Sequence, residues 1–436
     1  MNAREYARRR HALMRMMGKG GVAILPAAPM RMRNRDVEYP YRQDSDFFYL
    51  SGFAEPEAVL VLIPGRPQGE LLLFCRDQDP QREMWDGKRV TPAGAIADYA
   101  VDDAFPIDDI DEILPGIVEQ CERVYYTMGA HPDFDTKLIG WITELRTRGR
   151  AGVHAPDEFV ALDHLLHDLR LFKSRSEIST VRKSVNIAVA AHKRAMANCR
   201  PGLYEYELEA EYIHEFRRND VQSAYQPIVG GGLNACTLHY VKNDQPLRDG
   251  DLVLADVGCE YDYYASDITR TWPVNGRFTD PQRQIYELVL QAHDAAIEQI
   301  APGMHWNDPH EAAVRVITRG LQRLGLLKGD LRVLLTKQKY RKFFMHRTGH
   351  WLGMDVHDVG DYKVSDQWRL LEPGMIMTVE PGIYIPDARG VPAKWRGIGV
   401  RIEDDVVVTK TGNEVLSRNL PVDPDEIESL VGSAVN

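Results

Sequence analysis

The sequence has no long hydrophobic run, few cysteines and no excess of basic residues. Its longest apolar run, residues 58–64, is far shorter than the ~20 residues that a membrane-spanning helix needs. The five cysteines form no Cys-X-X-Cys pair, which argues against a zinc knuckle or a disulfide framework and favours reduced thiols in a cytoplasmic protein. Acidic residues outnumber basic ones by 64 to 53, so the chain lacks the basic balance typical of nucleic-acid binders. We therefore expect neither a membrane nor a nucleic acid among its partners.

The composition is that of a folded protein, with 44% hydrophobic and 27% charged residues among 436. This excludes a largely disordered chain. The pattern changes near residue 172 and predicts two domains, 1–172 and 173–436. In the first, two apolar runs at 58–63 and 70–75 are separated by a turn rich in proline and glycine, which predicts a buried hairpin. Helical stretches on either side indicate an α/β domain.

The second domain carries the same order of helices and strands twice. Ser174 with Glu177 three residues later is a capping-box signature for a helix start, and Thr279 with a proline two residues later marks another. A Pro-Gly pair comes after each helix, then a second helix, then a turn into an apolar strand that ends in an acid and a glycine. The strands are at 247–258 and 371–382. We interpret this as an α+β domain with an internal pseudo-twofold duplication, the alternative being that common turn sequences coincide.

Each half of this repeat contributes two acids from strand-like segments. Asp256 ends one apolar strand and Asp267 follows on a second strand, joined to it by a turn at 258–262. Glu380 ends the counterpart strand, and Glu403 lies in the strand after it. A single acid in such a strand is most simply hydrogen-bonded to a turn or paired with arginine, as Glu403 could be with Arg401 on the same strand face. Four such acids together cannot stay ionised without cations, so the set predicts a metal site.

Histidines strengthen this prediction. His346, His350 and His357 lie within twelve residues that also contain glycines, and His239 is a fourth candidate. Two divalent ions would neutralise four carboxylates, whereas one would leave a buried negative charge. Carboxylate-rich sites with a single imidazole suit Mn²⁺, with Co²⁺ or Zn²⁺ possible. A two-metal site of this kind activates water and polarises a carbonyl or phosphoryl oxygen.

These segments resemble the proline-specific metallopeptidases of the pita-bread fold, and among them the bacterial aminopeptidase P group. The resemblance lies in DVG at 256–258, SDITRT at 266–271, GHWLGMDVHDVG at 349–360, TVEPGIY at 378–384 and GVRIE at 399–403. It extends to the first domain, where RQDSDFFYLSGFAEPEA at 42–58 is similar to the N-terminal domain of that group. The resemblance implies an aminopeptidase P type N-terminal domain and a pita-bread catalytic domain.

The resemblance also implies the metal ligands. The family's five ligands correspond to Asp256, Asp267, His350, Glu380 and Glu403. By this correspondence Asp267 and Glu403 bridge two ions, usually Mn²⁺, and Asp256 chelates one of them. His350 and Glu380 bind the other ion.

The reaction implied is release of the N-terminal residue from peptides with proline in second position. A hydroxide that bridges the metals would attack the scissile carbonyl, and Glu380 would carry its proton towards the leaving nitrogen. His357 is our candidate for stabilising the oxyanion, and His239 would hold the carbonyl or the proline side. A pocket shaped to the proline ring can bind it without needing the N–H that proline lacks.

Further residues are assigned through the same resemblance. His346 corresponds to another histidine around the metals, and Tyr384 and Arg401 to a network that holds the metal carboxylates in place. Trp85 corresponds to a tryptophan that reaches the active site of a neighbouring subunit, although an ordinary surface tryptophan is the plainer interpretation. The family relationship also implies a homodimer or homotetramer.

Three alternatives share the fold. A prolidase, which cleaves Xaa-Pro dipeptides, has the same five ligands. A creatinase-like enzyme works without metal and should lack several of these acids. A non-catalytic pita-bread domain could serve as a protein-binding module, and degraded ligands would then be expected.

Overall fold

The computed structural model describes residues 1–119 and 121–434, so the last two residues of the predicted C-terminal domain lie outside the described residues. The chain divides into two compact units, Met1–Leu169 and Arg170–Asn436. The boundary expected from the sequence follows residue 172. Within the described residues, every helix is too short or too polar to cross a membrane.

The N-terminal unit is built on a six-stranded mixed sheet with the order β4-β3-β2-β1-β5-β6. The predicted hairpin is confirmed, because β2 and β3 pair antiparallel with Val59 opposite Phe74. Both strands are buried, as uninterrupted apolar runs require when a sheet is covered on both faces. The elements of this unit are α1 Ala3–Met17, β1 Gly21–Pro26, α2 Ser45–Ser51, β2 Val59–Leu62, β3 Leu71–Cys75, α3 Pro80–Asp86, α4 Pro92–Tyr99, β4 Asp103–Pro106, α5 Ile110–Val118, β5 Arg123–Tyr125, α6 Pro132–Thr147 and β6 Glu158–Val160. The helix α7 Asp163–Leu171 begins in this unit and ends two residues past the division.

The C-terminal unit places two helix pairs around antiparallel strands. Its elements are α8 Arg175–Asn198, α9 Glu205–Arg218, β7 Gln222–Ser223, β8 Ile228–Gly231, β9 Leu252–Asp256, β10 Cys259–Tyr261, β11 Tyr264–Ala265, β12 Thr269–Pro273, α10 Asp280–Ile297, α11 Asp308–Arg323, α12 Leu331–Thr336, β13 Lys363–Val364, β14 Gln367–Trp368, β15 Ile376–Val379, β16 Gly382–Ile385, β17 Ile398–Arg401, β18 Asp404–Val408, β19 Asn413–Val415 and α13 Pro424–Leu430.

Both predicted helix starts are confirmed as capping boxes. The Ser174 hydroxyl accepts from the backbone N–H of Glu177, and the Glu177 carboxylate accepts from the backbone N–H of Ser174. Thr279 and Gln282 form the same reciprocal pair at the start of α10. These bonds satisfy backbone donors that a helix start otherwise leaves unpaired, so a local sequence pattern suffices to fix each start.

The duplication is visible in the strands that come after each helix pair. The helices α8 and α9 pack together, as do α10 and α11. After the first pair, β9 and β12 are antiparallel neighbours with Asp256 opposite Thr269. After the second pair, β15 and β18 are antiparallel neighbours with Val379 opposite Asp404. The unit is therefore a pita-bread domain in which the two halves bring equivalent strand ends together.

Two details of the strands differ from the sequence-based prediction. The turn between the first two acids lies at Asp262 and Tyr263, not at 258–262, and joins the extra hairpin β10–β11. The second and fourth acids also lie outside strands: Asp267 falls between β11 and β12, and Glu403 between β17 and β18. Apolar runs alone do not show where a strand breaks, and these breaks free both carboxylates from the pleat.

Candidate metal centre and active site

The four predicted acids occupy corresponding positions in the two halves of the C-terminal unit. Asp256 is the last residue of β9, and Glu380 directly follows β15. Asp267 and Glu403 each precede the antiparallel partner of those strands. Because antiparallel partners place the end of one strand beside the start of the other, each strand pair brings its two acids to the same edge.

The carboxylates gather around one histidine. His350 Nε2 lies 3.3 Å from Asp267 Oδ2 and 3.9 Å from Glu380 Oε1. Asp267, His350 and Glu403 each offer a possible ligand atom within 4.8 Å of the others. The Nδ1 atom of His350 lies 2.9 Å from the Trp351 carbonyl, to which it donates, and this fixes Nε2 towards the acids.

Burial makes this charge set unstable without additional positive charge. Asp267 is 5% and Glu403 is 2% exposed. Burial, together with the neighbouring carboxylates, raises the pKa of Glu403 well above its usual value and the pKa of Glu380 to about 7. Burial likewise raises the pKa of Asp256. These groups are costly to ionise as they stand.

Asp267 and His350 form the exception within the cluster. Burial opposes the charged form of both side chains, but their mutual hydrogen bond and attraction outweigh it. The pKa of Asp267 is therefore lowered, and the pKa of His350 is raised to about 9. Without a metal, the His350 imidazole is the group nearest to Asp267 that can offset its charge, and as a metal ligand it would be neutral. Carboxylate oxygens with one imidazole are a donor set that fits divalent ions such as Mn²⁺, Co²⁺ or Zn²⁺.

The group lies in a cavity of about 860 Å³ in the C-terminal unit. All five predicted metal ligands line it, and so do Arg401 and the three histidines His239, His346 and His357. This volume is within the usual range for a small-molecule or peptide site. The cavity therefore combines a metal-type donor set with room for a substrate beside it.

Comparisons with known proteins agree with this geometry. Residues 179–410 match the model of metallopeptidase family M24, and residues 6–125 match the aminopeptidase P N-terminal domain. The chain belongs to metallopeptidase family M24. A curated relative, the Xaa-Pro aminopeptidase of Escherichia coli K12, is 45% identical, and the match covers 100% of this chain and 99% of that protein.

Two solved structures support the M24 assignment at the level of the fold. The aminopeptidase PepP of Pseudomonas aeruginosa superposes with a TM-score of 0.99 at 61% identity, covering 100% of this chain and 99% of that one. A zinc-substituted aminopeptidase P of Escherichia coli in complex with product superposes with a TM-score of 0.97 at 45% identity, with the same coverage. The predicted resemblance and fold class are confirmed, and this chain is an enzyme of the metallopeptidase class. The N-terminal match favours aminopeptidase P over prolidase.

Arg401 contacts a different acid from the one expected. Its guanidinium pairs with Asp256 rather than with Glu403, and it also donates to the Tyr384 hydroxyl at 3.0 Å and to Thr269 Oγ1 at 3.0 Å. Glu403 accepts instead from Thr269 Oγ1 at 2.6 Å. Because β17 ends at Arg401, the next residues leave the strand and the two side chains no longer share one face. The alternative of a simple Arg401–Glu403 pair is therefore wrong.

The predicted histidines take distinct places around the metallopeptidase site. His346 Nδ1 donates to the Arg347 carbonyl at 2.6 Å, and its Nε2 accepts from the Tyr384 hydroxyl at 2.8 Å. Burial and the charge of Arg401 lower the pKa of His346 to about 3, so this ring is neutral. The His357 ring packs edge-on against His350, with ring centroids 4.2 Å apart. His239 lines the same cavity.

One predicted residue lies away from the cavity, and one residue that was not predicted contacts two of the acids. Trp85 lies on α3 in the N-terminal unit with 88% of its surface exposed, and it is not among the described residues that line the cavity. Tyr225, which was not predicted from the sequence, lies with its hydroxyl 2.6 Å from both Asp256 Oδ1 and Asp267 Oδ1. The segment around Tyr225 carries no motif that could have marked it, because its role depends on two acids 31 and 42 residues away.

Proposed function

We propose that this protein releases the N-terminal residue from peptides whose second residue is proline. The observation that carries the proposal is the convergence of four carboxylates, three of them buried, and His350 on one cavity in a chain of family M24. The similarity to Xaa-Pro aminopeptidases along the whole chain supports this substrate class.

We infer that Asp256, Asp267, His350, Glu380 and Glu403 hold two divalent ions, with Mn²⁺ preferred and Co²⁺ or Zn²⁺ as alternatives. The support is the donor chemistry, together with the pKa values of Glu403 and Glu380, which burial and the neighbouring carboxylates raise. When bound, the ions supply an activated water at neutral pH and polarise the scissile carbonyl.

The remaining chemistry falls to side chains around the donor set. Glu380 is the proposed proton carrier, because it is only partly exposed and is directed towards the histidines, with Oε2 3.6 Å from His346 Nδ1. The Arg401–Tyr384–His346 chain of hydrogen bonds orients the carboxylates and keeps His346 in one tautomer. His357 and His239 line the cavity and are the proposed contacts for the oxyanion and for the carbonyl or proline side of the substrate.

A peptide panel tests the proposed activity. Chelated protein is supplemented with Mn²⁺ and given Ala-Pro-Ala, Ala-Ala-Ala and the dipeptide Ala-Pro. We expect release of alanine chiefly from Ala-Pro-Ala. Cleavage of the dipeptide alone would favour prolidase activity, and equal cleavage of Ala-Ala-Ala would contradict proline specificity.

A matched pair of variants separates metal chemistry from unrelated effects. Asp267→Asn should abolish both bound metal and activity. Asp220→Asn is the control, because the Asp220 side chain is 97% exposed and its backbone already has a positive φ that asparagine tolerates. Unchanged activity in Asp267→Asn would overturn the metal-dependent mechanism.

We also infer a homodimer or homotetramer in which Trp85 contacts a second copy. The support is that Trp85 and its neighbour Met84 are 88% and 82% exposed, which is unusual for two adjacent large apolar side chains. Light scattering on wild type and Trp85→Ala tests this: a monomeric wild type would contradict it.

A cytoplasmic location stays a prediction from the unpaired cysteines.

A further inference from the structure

One wall of the cavity faces solvent, and the proposed chemistry does not use it. This wall contains Trp368, which is half-buried, and the exposed side chains of Arg347 and Lys363. At the other end, Asp256, Asp267 and Glu403 are buried. The cavity therefore runs from a buried acidic end to an exposed end that carries cations and aromatic rings.

A short hairpin builds this exposed wall. Strands β13 and β14 pair with Lys363 directly opposite Trp368, and the two turn residues Ser365 and Asp366 both have positive φ. This is the turn geometry that suits a two-residue hairpin. Direct cross-strand neighbours lie side by side, which places the Lys363 ammonium 4.7 Å from the centre of the Trp368 ring. The base of the hairpin is tied down, since the Trp368 carbonyl accepts from His305 Nδ1 at 2.9 Å.

A second cation reaches the same ring from another segment. The Arg347 guanidinium carbon lies 4.9 Å from the centre of the Trp368 ring. The Asn307 amide oxygen accepts from Arg347 Nη2 at 2.5 Å and holds the guanidinium there. One indole thus keeps two cations in place by cation–π contact.

Little negative charge offsets these cations. Within residues 1–119 and 121–434, neither Arg347 nor Lys363 has a carboxylate within 4.0 Å. Asp361 is the acid on this wall of the cavity, and Glu311 adds a weaker attraction on Arg347, which nearby Arg341 opposes. Two positioned cations against one wall acid make this end of the cavity attractive to an anion.

We propose that Arg347 and Lys363, held on Trp368, bind a carboxylate in the part of the substrate that follows the proline. The inference rests on the proposed function, because an exopeptidase takes the substrate amine into the buried end and leaves the rest of the peptide pointing to the exposed end. The carboxylate comes either from an acidic side chain or from the C-terminus of a short peptide. This makes the wall a specificity determinant for acidic peptides.

Paired peptides test the proposal. In each pair, the kcat/KM of the charged peptide is divided by the kcat/KM of the uncharged one. Ala-Pro-Ala-Glu-Ala amide is compared with its Gln counterpart, and the free acid of the Gln peptide with its amide. Two partly exposed ion pairs predict a preference of about three- to tenfold for the charged member of at least one comparison, since each such pair contributes ~1 kcal/mol or less. The first comparison identifies side-chain recognition, and the second identifies recognition of the C-terminus. The preference should fall as salt is raised.

Variants then assign the preference to these side chains. Lys363→Gln and Arg347→Gln should each lower the ratio, and the double variant should bring it to about one. Asp361→Asn should raise it. Lys394→Gln is the matched control, because Lys394 is also an exposed lysine over an indole, 4.5 Å from the centre of the Trp395 ring, but does not line the cavity. Its ratio should equal that of wild type.

Two results would overturn the proposal. The first is a ratio of one for wild type in both comparisons at low salt. The second is a ratio that is unchanged from wild type in both folded single variants, Lys363→Gln and Arg347→Gln. If Arg347→Gln fails to fold, Lys363→Gln and Asp361→Asn still decide, since both positions are exposed. Cleavage of the uncharged amide peptide in either case leaves the proposed function standing, whereas no cleavage of any peptide with proline second would refute that function itself.

Discussion

The acids that line the cavity and two buried acids elsewhere in the C-terminal unit, Asp358 and Asp404, are surrounded by different numbers of positive charges. In the cavity, four carboxylates share Arg401 and the imidazole of His350. Asp358, by contrast, accepts from both Lys173 at 2.8 Å and Arg170 at 2.6 Å. Burial would raise the pKa of Asp358, but these two cations outweigh it and lower that pKa.

The contrast is sharpest between two neighbours in the chain. Burial and nearby carboxylates raise the pKa of Glu403, whereas Arg270 and His293, 2.7 and 3.1 Å from Asp404, together outweigh burial and lower the pKa of Asp404. Equal burial thus leads to opposite results, depending on whether the protein supplies the countercharge. A cluster that the protein leaves uncompensated is suited to binding a cation, whereas removing one partner from a compensated cluster destabilises the fold.

The largest expected effect comes from neutralising an uncompensated acid. Glu403→Gln should lower kcat/KM on Ala-Pro-Ala more than ~100-fold, because even outer partners of metal ligands contribute 10- to 100-fold. In the chelated protein the same change should leave the thermal midpoint equal or higher, since it removes repulsion. Activity assays and thermal unfolding check both parts, and a midpoint several degrees lower in the chelated variant would contradict the comparison.

Neutralising a compensated acid should instead destabilise the fold. Asp358→Asn leaves two buried cations without their partner and should lower the free energy of unfolding by about 3–5 kcal/mol. Glu414→Gln is the control, because Glu414 pairs with Arg182 at 2.7 Å with its side chain 46% exposed, and should cost ~1 kcal/mol or less. Urea unfolding of both variants measures this, and similar costs would argue against the distinction.

A smaller loss should follow from changing Arg401, the arginine that the cavity acids share. Arg401→Lys keeps the charge but cannot contact Asp256, Tyr384 and Thr269 together. We expect kcat/KM to fall about 10- to 100-fold. If positioning is the role, lysine should also change the pH profile of kcat, whereas a purely structural effect would lower the amount of folded enzyme without altering that profile.

The smallest effect is a pH dependence of stability. The folded pKa of Asp358 lies below its unfolded value of about 3.9, so its contribution is fully present above that pH and is lost as pH falls through the folded pKa. The difference in unfolding free energy between wild type and Asp358→Asn should therefore shrink below about pH 4. A difference that is constant down to pH 3 in urea titrations would contradict this assignment.

Features that are local, or that lie along one strand, could be predicted from the sequence. The helix start at Ser174 was predicted from Glu177 three positions later and the start at Thr279 from Pro281 two positions later, and both starts are confirmed. The metal-type acids could be found because a carboxylate at the end of an apolar run is conspicuous. The family resemblance then supplied roles that composition and spacing alone left open.

Partners that meet only in the folded chain could not be predicted in this way. Tyr225 contacts Asp256 and Asp267, which come 31 and 42 residues later in the sequence, and Arg170 reaches Asp358 across 188 positions. Nearness in the sequence pairs Arg401 with Glu403, but the strand ends between them and Asp256 of another strand takes its place. The cation–aromatic wall at Trp368 was likewise missed, since Arg347 and Lys363 belong to different segments.

The most direct test is a metal titration of chelated protein, followed at once by calorimetry and by cleavage of Ala-Pro-Ala. We predict that two Mn²⁺ ions bind per chain and that activity appears as they bind. We also predict that Asp358→Asn, where folded, binds the same number and that Glu403→Gln does not. Full activity in metal-free protein, or no binding by wild type, would contradict the central claim that the uncompensated acids exist to hold metal.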